Sequence, residues 1–242
     1  MHNARSASDI KLSSVIFLHF APAAAIAAVY LLLSSLAPRV HMPRLLALMI
    51  AFVFAGIPLQ LAIIRNASRR AGHSVVTFRK RLPLWQHVAG ALLLIAIDFA
   101  LLRLPLGRVS EFLATHVFKW LPVAFSPGAD DDLAGVGRGL LLAVLVTQLV
   151  IDGIVNPIVE ERYFRGFLLP SLGRWRGAAP VASTLFFALA HFWQPYNVVS
   201  IFAFVLPLTL FTWWRRNYYT QAFVHCFANS LGATMALVAF FK

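Results

Sequence analysis

Runs of about 20 apolar residues recur along this chain, and they restrict its fold more than any other feature. Seven can be drawn, over residues 13–36, 44–64, 84–103, 138–159, 179–194, 196–214 and 218–241. Each can cross the hydrocarbon of a bilayer as a helix except that the fifth, "APVASTLFFALAHFWQ", is short, and either crosses with little tilt or ends within the protein interior. The fold expected is therefore all-α: a polytopic membrane helix bundle of about seven spans. Composition agrees. The chain is 60% hydrophobic and 12% charged, with mean hydropathy +0.76, whereas a soluble domain is about a quarter charged.

Lys and Arg exceed Asp and Glu by 21 to 9, for a net charge of +12. In a soluble protein such an excess suggests a nucleic-acid partner. Here the basic residues flank apolar runs, so they set topology, and no nucleic-acid partner is expected. The loop "RNASRRAGHSVVTFRKRLP" is the most basic and marks the cytoplasmic side. With seven spans the N-terminus is then cytoplasmic and the C-terminus outside. The first apolar run follows a polar start, "MHNARSASDIKLSS", and reads as a retained span rather than a cleaved signal. Cys226 is the single cysteine, which excludes an internal disulfide and a CxxC metal site. Between the third and fourth spans, "VSEFLATHVFKWLPVAF" suits a helix lying in the interface. Asp130, Asp131 and Asp132 follow in a polar turn. They lack the ligand spacing of a calcium loop and read as solvated.

An ionisable residue inside an apolar segment is costly, and its default reading is functional. His19 and His87 lie near span ends and read as hydrogen-bonded or interfacial residues. Asp98, in "LLLIAIDFALL", reads first as a helix-packing contact to a hydroxyl or backbone donor. Asp152 stands in "VIDGIVNP", where Gly153 and Pro157 loosen the helix and free backbone carbonyls.

Three clusters remain. In "EERYFR" Glu161 and Arg165 are four apart and share a face, a spacing at which Glu before Arg pairs well. Glu160 points about 100° away and is left free as a base. In "FALAH" Phe187 lies one turn before His191 and can wall its imidazole from lipid. In "HCFAN" His225 and Asn229 share a face of the last span and can address one cavity. Each cluster alone has a structural explanation: a helix-end ion pair, a packed histidine, an interhelical amide. Together they supply a carboxylate, two imidazoles and an amide on three spans, which is what hydrolysis needs: a base for water and donors for an oxyanion. No serine stands in a GxSxG motif, and Cys226, next to His225, points elsewhere, so a thiol protease is not expected.

In these motifs the chain resembles the CAAX protease and bacteriocin-processing family, CPBP or Abi, whose pattern is EExxxR, then FxxxH, then HxxxN or HxxxD. All three are complete here, in that order, within residues 138–241. The resemblance implies a four-helix catalytic core over 138–242, preceded by a three-span region with the interfacial segment over 1–137. It implies an intramembrane endopeptidase in which Glu160 activates water with help from His191. His225 and Asn229 would hold the oxyanion, Glu161 and Arg165 would give support, and Phe187 would shape the pocket. It implies no cofactor; zinc on Glu160, His191 and His225 is the alternative, weakened by the absence of an HExxH helix. The partner expected is a membrane-anchored protein or peptide cut near a terminus, such as a CAAX tail, leader peptide, bacteriocin or C-terminal sorting signal. A bacterial inner membrane suits the compact size. Two other readings stay open: a non-catalytic scaffold or bacteriocin-immunity protein on the same fold, and a small transporter using Asp98 and Asp152. The second lacks the internal repeat such transporters show.

Overall fold

The computed structural model describes residues 11–127, 133 and 136–241. Asp130, Asp131 and Asp132 lie outside the described residues. The described residues are overwhelmingly helical. Helix α1 is Leu12–Val40 and α2 is Arg44–Ala71, with α3 at Leu84–Leu101 and α4 at Leu106–Phe112. After them come α5 at Arg138–Ser171, α6 at Ala178–Leu189, α7 at Val198–Arg215 and α8 at Tyr219–Phe240. Six of the described helices are long and apolar enough to cross a membrane, and α6 is a shorter apolar helix at the place of the fifth expected span.

Large apolar side chains face outward, as a lipid solvent requires. Phe54 and Leu84 are 75% and 77% exposed. Trp85 and Trp214 stand exposed where α3 begins and α7 ends, the position of an interfacial aromatic. The expected interfacial segment is partly helical: α4 runs on into a π-turn at Leu113–Val117 and is tied to the start of α7 by Ser110 and Ser200, 3.0 Å apart.

Two of the helices depart from simple spans, and both departures bear on function. The expected fourth span stops at residue 159, which puts Arg162 and Arg165 in a cytoplasmic connection. Instead α5 continues to Ser171, and Glu160, Glu161 and Arg165 are all buried inside the bundle. The charges do not end this helix because they find partners on neighbouring helices. The expected fifth span reaches 194, but α6 stops at Leu189 after 12 residues, about 18 Å. Short turns follow, with Phe192 N–H donating to Ala190 O, and Pro195 opens a 3₁₀ turn. The end of α6 thus stays within the protein and carries His191 there.

Helix α5 is interrupted by π-turns at Ile151–Val155 and Glu161–Leu168, and each is followed by a proline that removes an N–H from the ladder. Pro157 leaves Gly153 O without its helical donor, and Ser230 Oγ of α8 donates to it at 3.1 Å. The flanking carbonyls are also taken from α8. Asn229 Nδ2 donates to Asp152 O at 3.0 Å, and Cys226 Sγ approaches Ile154 O at 3.6 Å. A Cβ on Gly153 would lie 2.9 Å from Ser230 Oγ, so glycine allows this close approach.

Pro170 acts likewise on Gly166 O, which accepts from Thr77 N–H at 2.9 Å. The basic loop is thereby strapped across α5. It continues to the α7–α8 turn, where Tyr218 N–H donates to Phe78 O and Asn217 Nδ2 to Lys80 O, at 3.0 and 2.7 Å. A Cβ at Gly166 would meet Val76 Cγ1 at 2.7 Å and the Tyr218 ring at 3.3 Å. Gly166→Ala is therefore expected to destabilise the protein by about 1–3 kcal/mol through overpacking. Thermal unfolding in detergent measures this, and an unchanged midpoint would show that the strap yields freely.

Candidate active site

Helices α2, α3, α5, α7 and α8 and the turn after α6 surround a cavity of about 580 Å³. Most of its wall is apolar, with Ile95, Phe99, Phe204, Leu208 and Leu231 among the lining residues. Its polar groups converge from the three sequence clusters. Glu160 and Glu161 come from α5, His191 from just past α6, and His225 and Asn229 from α8. Phe187 lines it as well. Arg165 lies behind it, fully buried.

The two glutamates have separate surroundings. Glu161 Oε2 forms an ion pair with Arg165 Nε at 3.3 Å, and Glu161 Oε1 accepts from His225 Nδ1 at 2.9 Å. Arg165 also reaches Thr209 Oγ1 at 3.4 Å, and its guanidinium stacks 4.1 Å from the Phe187 ring centroid. That stacking is favourable for a desolvated cation. The Glu161–Arg165 pair expected from spacing is therefore present, with His225 added to it. Glu160 makes no ion pair with Arg165; Asn156, buried one turn earlier on α5, lines the cavity with it.

The ring orientations follow from their acceptors. Phe187 O can only accept, so His191 Nδ1 donates to it, at 2.8 Å, and a neutral His191 presents a bare Nε2. The Phe187 ring stands edge-on to the imidazole at 4.7 Å, the walling contact expected from "FALAH". His225 likewise spends its Nδ1 proton on Glu161. Asn229 uses one amide hydrogen on Asp152 O and keeps the second. Cys226 turns away toward Ile154 O and does not line the cavity.

The polar residues outside the motifs divide. His19 is fully buried rather than interfacial, and its Nδ1 donates to Val15 O at 2.8 Å. His87 hydrogen-bonds Thr220 Oγ1 at 2.7 Å. Neither lines the cavity. Asp98 departs from the packing contact expected of it. It lines the cavity, and its buried Oδ1 has no hydrogen-bond partner among the described residues. The reason is that α3 packs against α7 and α8 with this face inward. Asp152 lines the cavity too. Asn156, Thr209 and Gln221 escape notice in the sequence. Only Asn156 carries a readable signal, its spacing of four before Glu160.

Among the described residues no three His, Cys, Asp or Glu side chains are grouped to hold a metal ion. Glu160, His191 and His225 share the cavity without forming such a group.

Residues 141–231 match the family described as type II CAAX prenyl endopeptidase, Rce1-like, which is the CPBP or Abi family that the three motifs resemble. The match takes in every motif residue and leaves the first three spans outside it. No curated protein and no solved structure matches the chain.

Proposed function

We propose, from the premise that residues 141–231 are an Rce1-like protease core, that this multi-pass membrane protein cuts a membrane-anchored protein or peptide near one terminus. The observation that supports this most strongly is the convergence of Glu160, His191, His225 and Asn229, from three separate segments, on one largely apolar cavity inside the bundle.

The chemistry follows from the donors and acceptors available. Glu160, free of Arg165, accepts a proton from a water molecule as that water attacks the scissile carbonyl carbon. The bare Nε2 of His191 accepts the water's other hydrogen and orients it. The C=O bond opens to an oxyanion, which receives the free amide hydrogen of Asn229 and Nε2–H of a doubly protonated His225. Glu160 then returns its proton to the amide nitrogen, the C–N bond breaks, and the nascent carboxylic acid gives its remaining proton to the amine, so that a carboxylate and an ammonium leave. Glu161 and Arg165 fix the His225 ring from behind, and Phe187 packs against both imidazoles and the guanidinium. No step passes through a metal. Phenanthroline or EDTA is therefore expected to leave the cleavage rate unchanged; inhibition reversed by added zinc would replace this mechanism with a metal-dependent one.

The substrate class proposed is a lipid-anchored or transmembrane segment ending in a short processed tail. The N-terminus is assigned to the cytoplasmic side of a bacterial inner membrane. Comparing membrane-protein termini in cells carrying the wild type and Glu160→Ala tests the function. The expected result is at least one precursor left uncut in the variant. Identical termini, with the variant present at normal level, would rule the protease reading out.

A further inference from the structure

A second, smaller cavity adjoins the 580 Å³ chamber and shares Glu160, Phe187, His191 and Trp193 with it. Its volume is about 10 Å³, and it lies among α1, α2, α5 and the end of α6. Pro22, Ala23, Ile26 and Phe164 give it apolar walls. Its polar lining is Gln60, Glu160 and His191. Gln60 is 1% exposed, and its Oε1 has no hydrogen-bond partner among the described residues.

A buried amide oxygen without a donor loses its hydration and gains nothing in return. Side chains so placed in membrane helices turn to a neighbouring helix or to ordered water. Gln60 Oε1 takes no hydrogen bond from this lining: Glu160 is an acceptor, His191 gives its Nδ1 hydrogen to Phe187 O, and the Trp193 indole, which also lines the hole, does not reach Oε1. The room is that of about one water molecule, which needs a free volume of roughly 10–15 Å³. Two or more polar partners are also needed, and Gln60, Glu160 and His191 meet that condition.

We propose that this hole is a binding site for a single structural water that bridges Gln60 Oε1 and the Glu160 carboxylate, making Gln60 a positioning residue for the base. The water donates one hydrogen to Gln60 and one to Glu160. It is distinct from the attacking water, which must stand in the larger chamber where a peptide can reach it. Tied to Gln60 through this water, the Glu160 carboxylate is held in one rotamer. Gln60 lies on α2, outside the stretch that matches the protease family. The first spans would then supply part of the catalytic geometry rather than only a scaffold.

The positioning role rests on the proposed function, but the water site does not, and the test separates them. The full chain is solved experimentally, wild type and Gln60→Leu, at a resolution where buried waters are visible. Density for one water between Gln60 and Glu160 is expected in the wild type. In Gln60→Leu that density is expected to vanish and the Glu160 carboxylate to occupy more than one orientation. A wild-type site without the water, or a Glu160 that stays in place in the variant, overturns the proposal. Kinetics on an internally quenched, farnesylated CAAX peptide give the second readout. Gln60→Leu should lose about tenfold in kcat with KM unchanged, one hydrogen bond's worth. Gln60→Asn keeps the amide and leaves room for the water, so it should recover most of that loss. Equal kcat in Gln60→Leu and wild type overturns the positioning role. If Gln60→Leu does not fold, the wild-type density and the Asn variant decide. Failure of the wild type to cut any membrane substrate counts against the proposed function alone, because the density is read without substrate.

Discussion

Glu160→Gln should lower the cleavage rate by about 10²–10⁴-fold, the usual contribution of a general base, with little change in KM or unfolding temperature. The substitution keeps the shape of the side chain and removes only its ability to take a proton. Glu160 carries no ion pair to Arg165, so replacing it unbalances no buried cation. Its neighbour is the control. Glu161 pairs with Arg165 and His225 at 3.3 and 2.9 Å, so Glu161→Gln should cost stability as well as activity. Rates on the farnesylated peptide and unfolding curves in the same detergent separate the two. A Glu160→Gln enzyme with near wild-type turnover would transfer the role of base to another group, and His191 would be the first candidate.

Arg165→Met should be the most damaging substitution for stability, at about 3–5 kcal/mol, the cost of leaving one member of a buried pair uncompensated. Arg165 is fully buried, and its partner Glu161 is 1% exposed. Methionine fills much of the volume, so the loss reports the stranded carboxylate more than a cavity. Removing both charges separates these terms. The double variant Arg165→Met with Glu161→Gln should regain a large part of the loss, since a buried pair replaced as a unit is often close to neutral. Denaturant unfolding of the two variants gives the coupling directly. If the double variant is as unstable as the single one, then packing of the guanidinium on Phe187 and Thr209 holds this region, and the ion pair does not.

Much of the site is legible in the sequence because helical spacing of three or four residues is a geometric statement. It places Glu161 with Arg165, Phe187 with His191, and His225 with Asn229, and it separates Glu160 from its neighbour. The fold class is legible too, since 20-residue apolar runs admit few structures. Depth within the bundle is not legible. Charged residues normally end a span, so "EERYFR" reads as a helix end, and only partners on α7 and α8 let α5 carry it inward. Asp98 is illegible for a similar reason: its role depends on which face α3 turns to α7 and α8, and an all-round apolar helix does not announce a face. Gln60 sits in an apolar run with no companion at helical spacing, and the walls of its cavity arrive from three other elements. The prolines are half legible. Pro157 predicts a free carbonyl but not that three successive carbonyls would be taken by one partner helix.

That row of contacts between α5 and α8 has a genetic consequence. The acceptors at positions 152, 153 and 154 are main-chain oxygens, present whatever side chains stand there, while the donors at 226, 229 and 230 are side chains. The junction is therefore encoded almost entirely on one of its two helices. Variation on the α5 side is limited by space at Gly153 and by the N–H that Pro157 lacks, whereas each change on the α8 side removes a bond. The helix that carries His225 and Asn229 thus also specifies how it is fastened, and drift in the rest of the chain can leave that corner of the cavity in register.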